Sequence, residues 1–273
     1  MRSQQQLGGA FRELHQRSFA FIIPNPWDIG TARLLAHLGF EALATTSAGY
    51  AFSRGQRDNT IGRDEMMRHV ASIASATDLP VSGDLENGFG DDPHVVAETI
   101  RLAAEAGLVG GSIEDSTGRP DAPIYGRELA AERVQAASEA AQSLGFPFTL
   151  TARSENYLVG QPDLDDTIER LQAYQEAGAD VLYAPGVRSR DDLAAIVGSL
   201  DRPVNVVMGL QGARLSLATL TEIGARRVSV GSALSRVALG AFLRAAQEMR
   251  DHGTFEFLDQ AVGSQDISSM LAE

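Results

Sequence analysis

Eight short apolar or β-branched runs alternate with amphipathic segments along nearly the whole chain, and that alternation limits the fold more than any other feature. The runs are FAFIIPN (19–25), EALATTS (41–47), PVSGDLE (80–86), LVGGSIED (108–115), FTLTARS (148–154), DVLYAPG (180–186), PVNVVMG (203–209) and RRVSVGS (226–232). Between them lie stretches of helical periodicity such as TARLLAHLGF, HVVAETIRLAAEAG and ELAAERVQAASEAAQSLG, several ending in a glycine that suits a helix C-terminus. Strands spaced regularly by helices form parallel sheets covered by those helices. Eight such units predict an α/β fold, a (β/α)8 TIM-type barrel, with an open doubly wound sheet as the alternative. At 273 residues the chain is near the upper size of one continuous core, so one domain spanning 1–273 is expected. A helical tail at 252–273, with Phe255, Phe257, Leu258, Ile267 and Leu271, follows the last barrel helix. It either caps its own barrel or packs on a partner subunit.

Composition narrows the chemistry by subtraction. The net charge of −13 disfavours nucleic acid and anionic membranes, because the average surface repels both. No cysteine is present, which removes thiolate nucleophiles, disulfides and cysteine-bound zinc or iron–sulfur clusters. Lysine is absent too, all 23 basic residues being arginine, so Schiff-base aldolase chemistry and a Walker A lysine are impossible. Carbonyl chemistry on this chain therefore calls for a metal. The N-terminal MRSQQQLGGAFRELHQ has neither a signal-peptide core nor a transit-peptide composition, so a cytoplasmic protein is expected.

In such a barrel the chemistry sits at the C-terminal strand ends and the loops beyond them. Strand three ends with Asp84 and Glu86, two apart and so on one face of an extended chain. Strand four ends with Glu114, strand five with Arg153 and strand two with Ser47, followed by Ala48 and Gly49; Asp58 lies in the loop after strand two. Asn205, on strand seven, is a further candidate for substrate binding. Carboxylates converging on a partly dehydrated mouth repel one another, and one arginine cannot neutralise them. All-oxygen ligands suit a hard ion, Mg2+ or Mn2+, that keeps waters and leaves room for substrate oxygens. Arg153 beside it suits a substrate carboxylate, and Ser47 with the amides of Ala48 and Gly49 suits another oxygen. Asp115, alternating away from Glu114, reads as an ion-pair residue. Asp58 has Arg54 and Arg57 as possible partners, and Tyr50 suits either packing or acid catalysis. The five histidines all fall in helices, helix starts or tails, which disfavours a histidine-bound metal. Gly110-Gly111 reads as a close backbone approach within a strand, and GSALS after strand eight as a possible phosphate cup.

GDLENGFGD at strand three, SIED at strand four, TARSE at strand five, NPWD after strand one and TTSAG at strand two resemble the isocitrate lyase / phosphoenolpyruvate mutase superfamily, in order and at suitable spacing over residues 20–240. The resemblance implies a Mg2+-dependent barrel acting on 2-oxo or 2-hydroxy acids through an enolate, and a homotetramer, a dimer of dimers, with a C-terminal helix exchanged between subunits. It implies Asp84 as the direct metal ligand and Asp58, Glu86 and Glu114 as carboxylates binding the ion mostly through water. Ser47 with the following amides, and Arg153, match the groups that grip the substrate carboxylate.

The loop after strand four, EDSTGRPDAPIYGRE, departs from that pattern. It lacks the Lys-Lys/Arg-Cys-Gly-His signature of isocitrate and methylisocitrate lyases and the Lys and Asn of the mutases. What the resemblance leaves is a Mg-dependent C–C lyase of a 2-hydroxy or 2-oxo di- or tricarboxylate, of the methylisocitrate- or dimethylmalate-lyase type or the oxaloacetate-decarboxylase type. Phosphoenolpyruvate mutase or phosphonopyruvate chemistry and a non-catalytic 2-oxo-acid binder are the alternatives. Tyr50, Glu86, Glu114 and Tyr125 are the candidates for acid–base work.

Overall fold

The eight runs become eight parallel strands in a computed structural model that describes residues 2–210 and 214–272. They are β1 Phe21–Ile23, β2 Leu43–Ala44, β3 Val81–Asp84, β4 Gly110–Glu114, β5 Thr149–Arg153, β6 Val181–Tyr183, β7 Val204–Val207 and β8 Arg227–Ser229. The helices are α1 Gln4–Gln16, α2 Ile29–His37, α3 Ser47–Ser53, α4 Arg63–Ala74, α5 Pro93–Glu105, α6 Arg127–Gln142, α7 Leu164–Glu176, α8 Arg190–Gly198, α9 Leu217–Glu222, α10 Ala233–His252 and α11 Ser264–Met270. Met1 and Glu273, at the ends of the expected domain and tail, lie outside the described residues.

Strand pairing runs β1-β8-β7-β6-β5-β4-β3-β2, and the Ala44 N–H donates to the Pro24 carbonyl at 3.0 Å to bring the two ends of the sheet together. That bond excludes the open doubly wound sheet. Local chemistry starts the helices: Thr46, Asp92, Asp163, Ser189 and Ser216 each cap a first turn through the side chain. The apolar faces of the helices pack on the outer faces of the strands, as with Val96 and Ile100 of α5, Val134 and Ala137 of α6, and Leu171 of α7.

Helix α1 plugs the lower end of the barrel. Its Phe11 lies against Gly110, where a Cβ would stand 2.8 Å from the ring, so the glycine permits the approach. His15 is buried beside Phe11 and Phe21. Burial, then the charge of Arg227, pushes its pKa down to about 3, whereas an unfolded chain protonates it near ~6.5. The neutral ring therefore supports folding fully above the unfolded pKa, and each pH unit below it costs up to about 1.4 kcal/mol until the folded pKa is reached. Urea unfolding followed from about pH 7 to about pH 4 should show His15→Gln losing stability less steeply than the wild type. Parallel curves would contradict a neutral buried ring.

The C-terminal end differs from the rest of the shell. Of the twenty residues of α10 only Ser235 is buried, and Val237 and Phe242 are 69% and 65% exposed. On the barrel side, Ile22 of β1 and the neighbouring Phe19 are also exposed. Beyond α10, α11 turns back to α2, where Arg33 Nη2 donates to the Leu271 carbonyl at 2.5 Å.

Candidate active site

Parallel strands deliver their last residues to one rim, and Asp84, Glu114 and Arg153 are the last residues of β3, β4 and β5. Arg153 is the hub. Its Nη1 lies 3.1 Å from Asp84 Oδ1, its Nη2 3.0 Å from Glu114 Oε2 and its Nε 2.9 Å from Glu155 Oε1. Its guanidinium also faces the ring of Tyr183, the last residue of β6, at 5.2 Å from the centroid. Glu155 and Tyr183 are not among the residues singled out from the sequence, although both carried a signal. Glu155 follows Arg153 by two in TARSE, and Tyr183 sits where the sixth run reaches the rim.

The second strand stops earlier than expected. Thr46 caps α3, its Oγ1 accepting from the Gly49 N–H at 3.2 Å, so Ser47 opens a helix rather than closing a strand. The Ser47 N–H and Oγ donate to Asp84 Oδ2 at 3.0 and 2.9 Å, and Oγ is also 3.3 Å from Asp58 Oδ1. Ala48 lines the cavity with a first-turn amide, a position without an acceptor inside its helix. The Gly49 amide is taken by the cap. Asp58 accepts from the Asn59 N–H at 3.0 Å, while Arg54 pairs with Glu65 at 3.2 Å.

Glu86 reaches the site by a different route from the one expected. The third strand ends at Asp84, and Glu86 is not on an extended chain: its φ is 49°, a left-handed conformation that residues other than glycine seldom adopt. Its Oε1 is buried and has no hydrogen-bond partner among the described residues. Burial, followed by the charges of Asp84 and Asp58, pushes its carboxyl up to about 8. Burial also raises Glu114 and Glu155 above the ordinary carboxylate range against the pull of Arg153, and burial with Asp84 raises Asp58.

Tyr50 is turned by α3 toward α4, where its hydroxyl donates to Glu65 at 3.2 Å and its ring stacks 3.7 Å from His69. The structure thus brings it to α4 and not to the cavity. Asn205, on β7, lines the cavity; its Nδ2 donates to Ser229 Oγ at 3.0 Å and its Oδ1 accepts from Arg227 Nε at 2.9 Å. Asp115 points away from the rim: it lies 3.2 Å from Arg170, accepts the Tyr174 hydroxyl and accepts the Glu155 N–H at 2.8 Å. It is an ion-pair residue. In the loop after β4, Ser116 bridges Ile124, Arg119 pairs with Asp91 at 2.6 Å, and the Tyr125 hydroxyl donates to the same carboxylate. The loop is thereby tied to the segment following β3.

Asp58, Asp84, Glu114, Arg153, Glu155 and Asn205 line a cavity of about 300 Å³. Asp84, Glu114 and Glu155 pair with the guanidinium of Arg153, and Asp58 and Glu86 stand near enough to Asp84 to feel its charge. The donors are all oxygen, and the unpartnered Glu86 Oε1 lacks a positive group or a hydrogen-bond donor. That set fits a hard divalent cation. Among the described residues no three acidic or histidine side chains form a ready cage for an ion. Mg2+ tolerates such a site, since water and substrate oxygens complete its shell. Each donor edge of Arg153 is already engaged, so a substrate carboxylate must compete with Asp84, Glu114 and Glu155 for it.

Known proteins share this arrangement of chain. The sequence profile of the phosphoenolpyruvate phosphomutase family matches residues 11–250. A crystal structure from Burkholderia cenocepacia, described as that of a lyase/mutase, superimposes with a TM-score of 0.97 at 65% identity, covering 99% of this chain and 97% of that one. The 2-methylisocitrate lyase of Halalkalibacterium halodurans is 28% identical over 93% of this chain and 86% of its own length. The oxaloacetate decarboxylase of Chromohalobacter salexigens is 29% identical over 91% and 87%.

Proposed function

Because the chain belongs to the phosphoenolpyruvate phosphomutase family, we propose that it is a divalent-cation-dependent lyase that cleaves a C–C bond of a 2-hydroxy or 2-oxo di- or tricarboxylic acid and releases a 2-oxo acid. The observation that carries the reading is the rim itself: three carboxylates on Arg153 with Asp58 and Glu86 beside them, and Glu86 Oε1 buried and unpartnered among the described residues. Two relatives from distinct bacteria, a 2-methylisocitrate lyase and an oxaloacetate decarboxylase, support the same class of chemistry. Mg2+ or Mn2+ held by Asp84, with Asp58, Glu86 and Glu114 about it, would supply the Lewis-acid charge that polarises the keto group of a 2-oxo acid.

The protein's own groups do the rest. The Ala48 amide offers a donor to the substrate carboxylate at the start of α3, where the helix dipole favours an anion, while Ser47 must give up its bonds to Asp84 before it can do the same. Arg153 favours the negative charge that develops as the C–C bond breaks more than it favours the neutral ketone, which is the differential binding that accelerates a reaction. Decarboxylation of an oxaloacetate-type acid demands least of the loop after β4, which carries no Cys, Lys or His. A panel of oxaloacetate, methylmalate-type acids and phosphonopyruvate, with Mg2+ and a carbonyl reagent, tests the reading. Cation-dependent release of a 2-oxo acid from a carboxylic substrate is expected. Turnover of phosphonopyruvate alone, or oxalate binding without any turnover, would overturn it.

The same reading includes a homo-oligomer, a tetramer built as a dimer of dimers with a C-terminal helix exchanged, and α10, which lies before the 252–273 tail, is the helix we propose for the exchange. Supporting it are the bare apolar side chains of α10 and the uncovered Ile22 and Phe19, two apolar surfaces that water otherwise wets. Light scattering should give a mass of several chains for the wild type, and the Phe242→Asp, Leu243→Asp double variant should shift it toward one chain. A monomeric wild type at micromolar concentration would contradict the exchange.

A further inference from the structure

The cavity is electrically lopsided. Asp58, Asp84, Glu114 and Glu155 line it from the β2–β5 side, together with Arg153. The opposite wall, from β6 round to β1, carries Tyr183, Asn205, Arg227, Ser229 and Asn25, and among the described residues no carboxylate lines it. Barrel interiors at this depth are ordinarily filled by branched apolar side chains. Here Ser82, Ser112, Asn205 and Arg227 line the cavity instead.

Arg227 opens β8 and is buried. Its Nε donates to Asn205 Oδ1 at 2.9 Å, its Nη2 to Thr151 Oγ1 at 2.9 Å, and its Nη1 lies 3.3 Å from His15 Nε2. Every one of these partners is neutral. His15 Nδ1 is 2.8 Å from the Phe11 carbonyl and takes the donor role, which leaves Nε2 as the acceptor for the guanidinium. Burial brings Arg227 down to about 10, so it remains a cation at neutral pH. A buried arginine is ordinarily matched by a carboxylate, because an unmatched buried charge is costly. Among the described residues no carboxylate pairs with this one. Its charge acts on the cavity from the side opposite the acids.

We propose that Arg227 is a specificity-determining residue that selects substrates bearing a second carboxylate. The proposal rests on the lyase reading above. With the 2-oxo or 2-hydroxy acid end at the Asp84–Arg153 side, the remainder of the molecule faces the β7–β8 wall. There the second Nδ2 proton of Asn205 offers a hydrogen bond, the Ser229 hydroxyl being held between Asn205 and Tyr183, and Arg227 behind them balances the charge. A methyl group in place of that carboxylate leaves the buried cation unmatched.

Malate and 2-hydroxybutyrate differ only in that group, and their calorimetric dissociation constants in Mg2+ form the test. Wild type should prefer malate by about tenfold or more, the worth of one charge-assisted hydrogen bond. Arg227→Met should bring the ratio of the two constants to within about twofold of unity. Asn205→Asp, isosteric and placed to pair with the guanidinium at Nε, should do the same without opening a cavity in the core. The ratio is insensitive to a general weakening of the site, which changes both constants together. A ratio near one in the wild type, or one retained in both variants, overturns the proposal while the lyase reading stands. Failure of the wild type to bind oxalate with Mg2+ overturns both.

Discussion

Asp84→Ala is expected to abolish Mg2+-dependent oxalate binding and to lower kcat/KM by about 10³-fold or more, because it removes the carboxylate on which the rim converges. Asp84 receives two bonds from Ser47 and one from Arg153. Its loss therefore removes one tie from the start of α3, which Thr46 still caps, and one of three carboxylates from the guanidinium. Asp84→Asn keeps the shape and can still accept from Ser47, yet it cannot match the charge of a cation or of Arg153. If charge is what matters, Asn should be nearly as damaging as Ala in the binding titration. An Asp84→Asn protein that bound oxalate with wild-type affinity and wild-type Mg2+ dependence would remove the metal site from this account.

The second large effect concerns stability. Asp115 is 3% exposed and gathers Arg170, the Tyr174 hydroxyl and the Glu155 amide beneath the rim. Asp115→Ala leaves a buried guanidinium short of one counter-charge and two further donors without an acceptor. Breaking such a buried pair from one side costs about 3–5 kcal/mol. For a chain of this length that is a fall in Tm on the order of 10 °C. Arg170 keeps Asp166 at 2.7 Å, which places the expected loss toward the lower end of that range. Differential scanning calorimetry measures it directly, and a change under about 1 kcal/mol would show that the network is not held by Asp115. Neighbours in sequence thus have opposite tasks: Glu114 faces the cavity and Asp115 anchors the shell.

Much of this was legible because strand periodicity is local. A run such as FTLTARS declares which residues share a face, so Arg153 follows Thr149 and Thr151 inward, and SIED places Glu114 and Asp115 on opposite sides. The rim residues Asp84, Glu114 and Arg153 come together in the structure for that reason. Where the backbone leaves the extended state the same argument fails. Ser47 opens a helix because Thr46 caps it, and Glu86 turns through a left-handed conformation just after its strand has ended. Tyr50, three residues into α3, faces α4 once that helix exists.

Sequence by itself determined the number and order of the strands, the exclusion of thiol and lysine chemistry, and the gathering of acids at one mouth. All of these follow from residue type and short-range spacing. Only the tertiary structure decided that Arg153 answers three carboxylates at once, that Glu86 Oε1 is left without a partner, that Arg227 meets only neutral groups, and that α10 stands clear of its own barrel. Apart from the Arg153–Glu155 pair, those depend on distances between residues tens to hundreds of positions apart, where the electrostatic outcome is set by which groups the closed barrel brings within a few ångströms and which it shields from water.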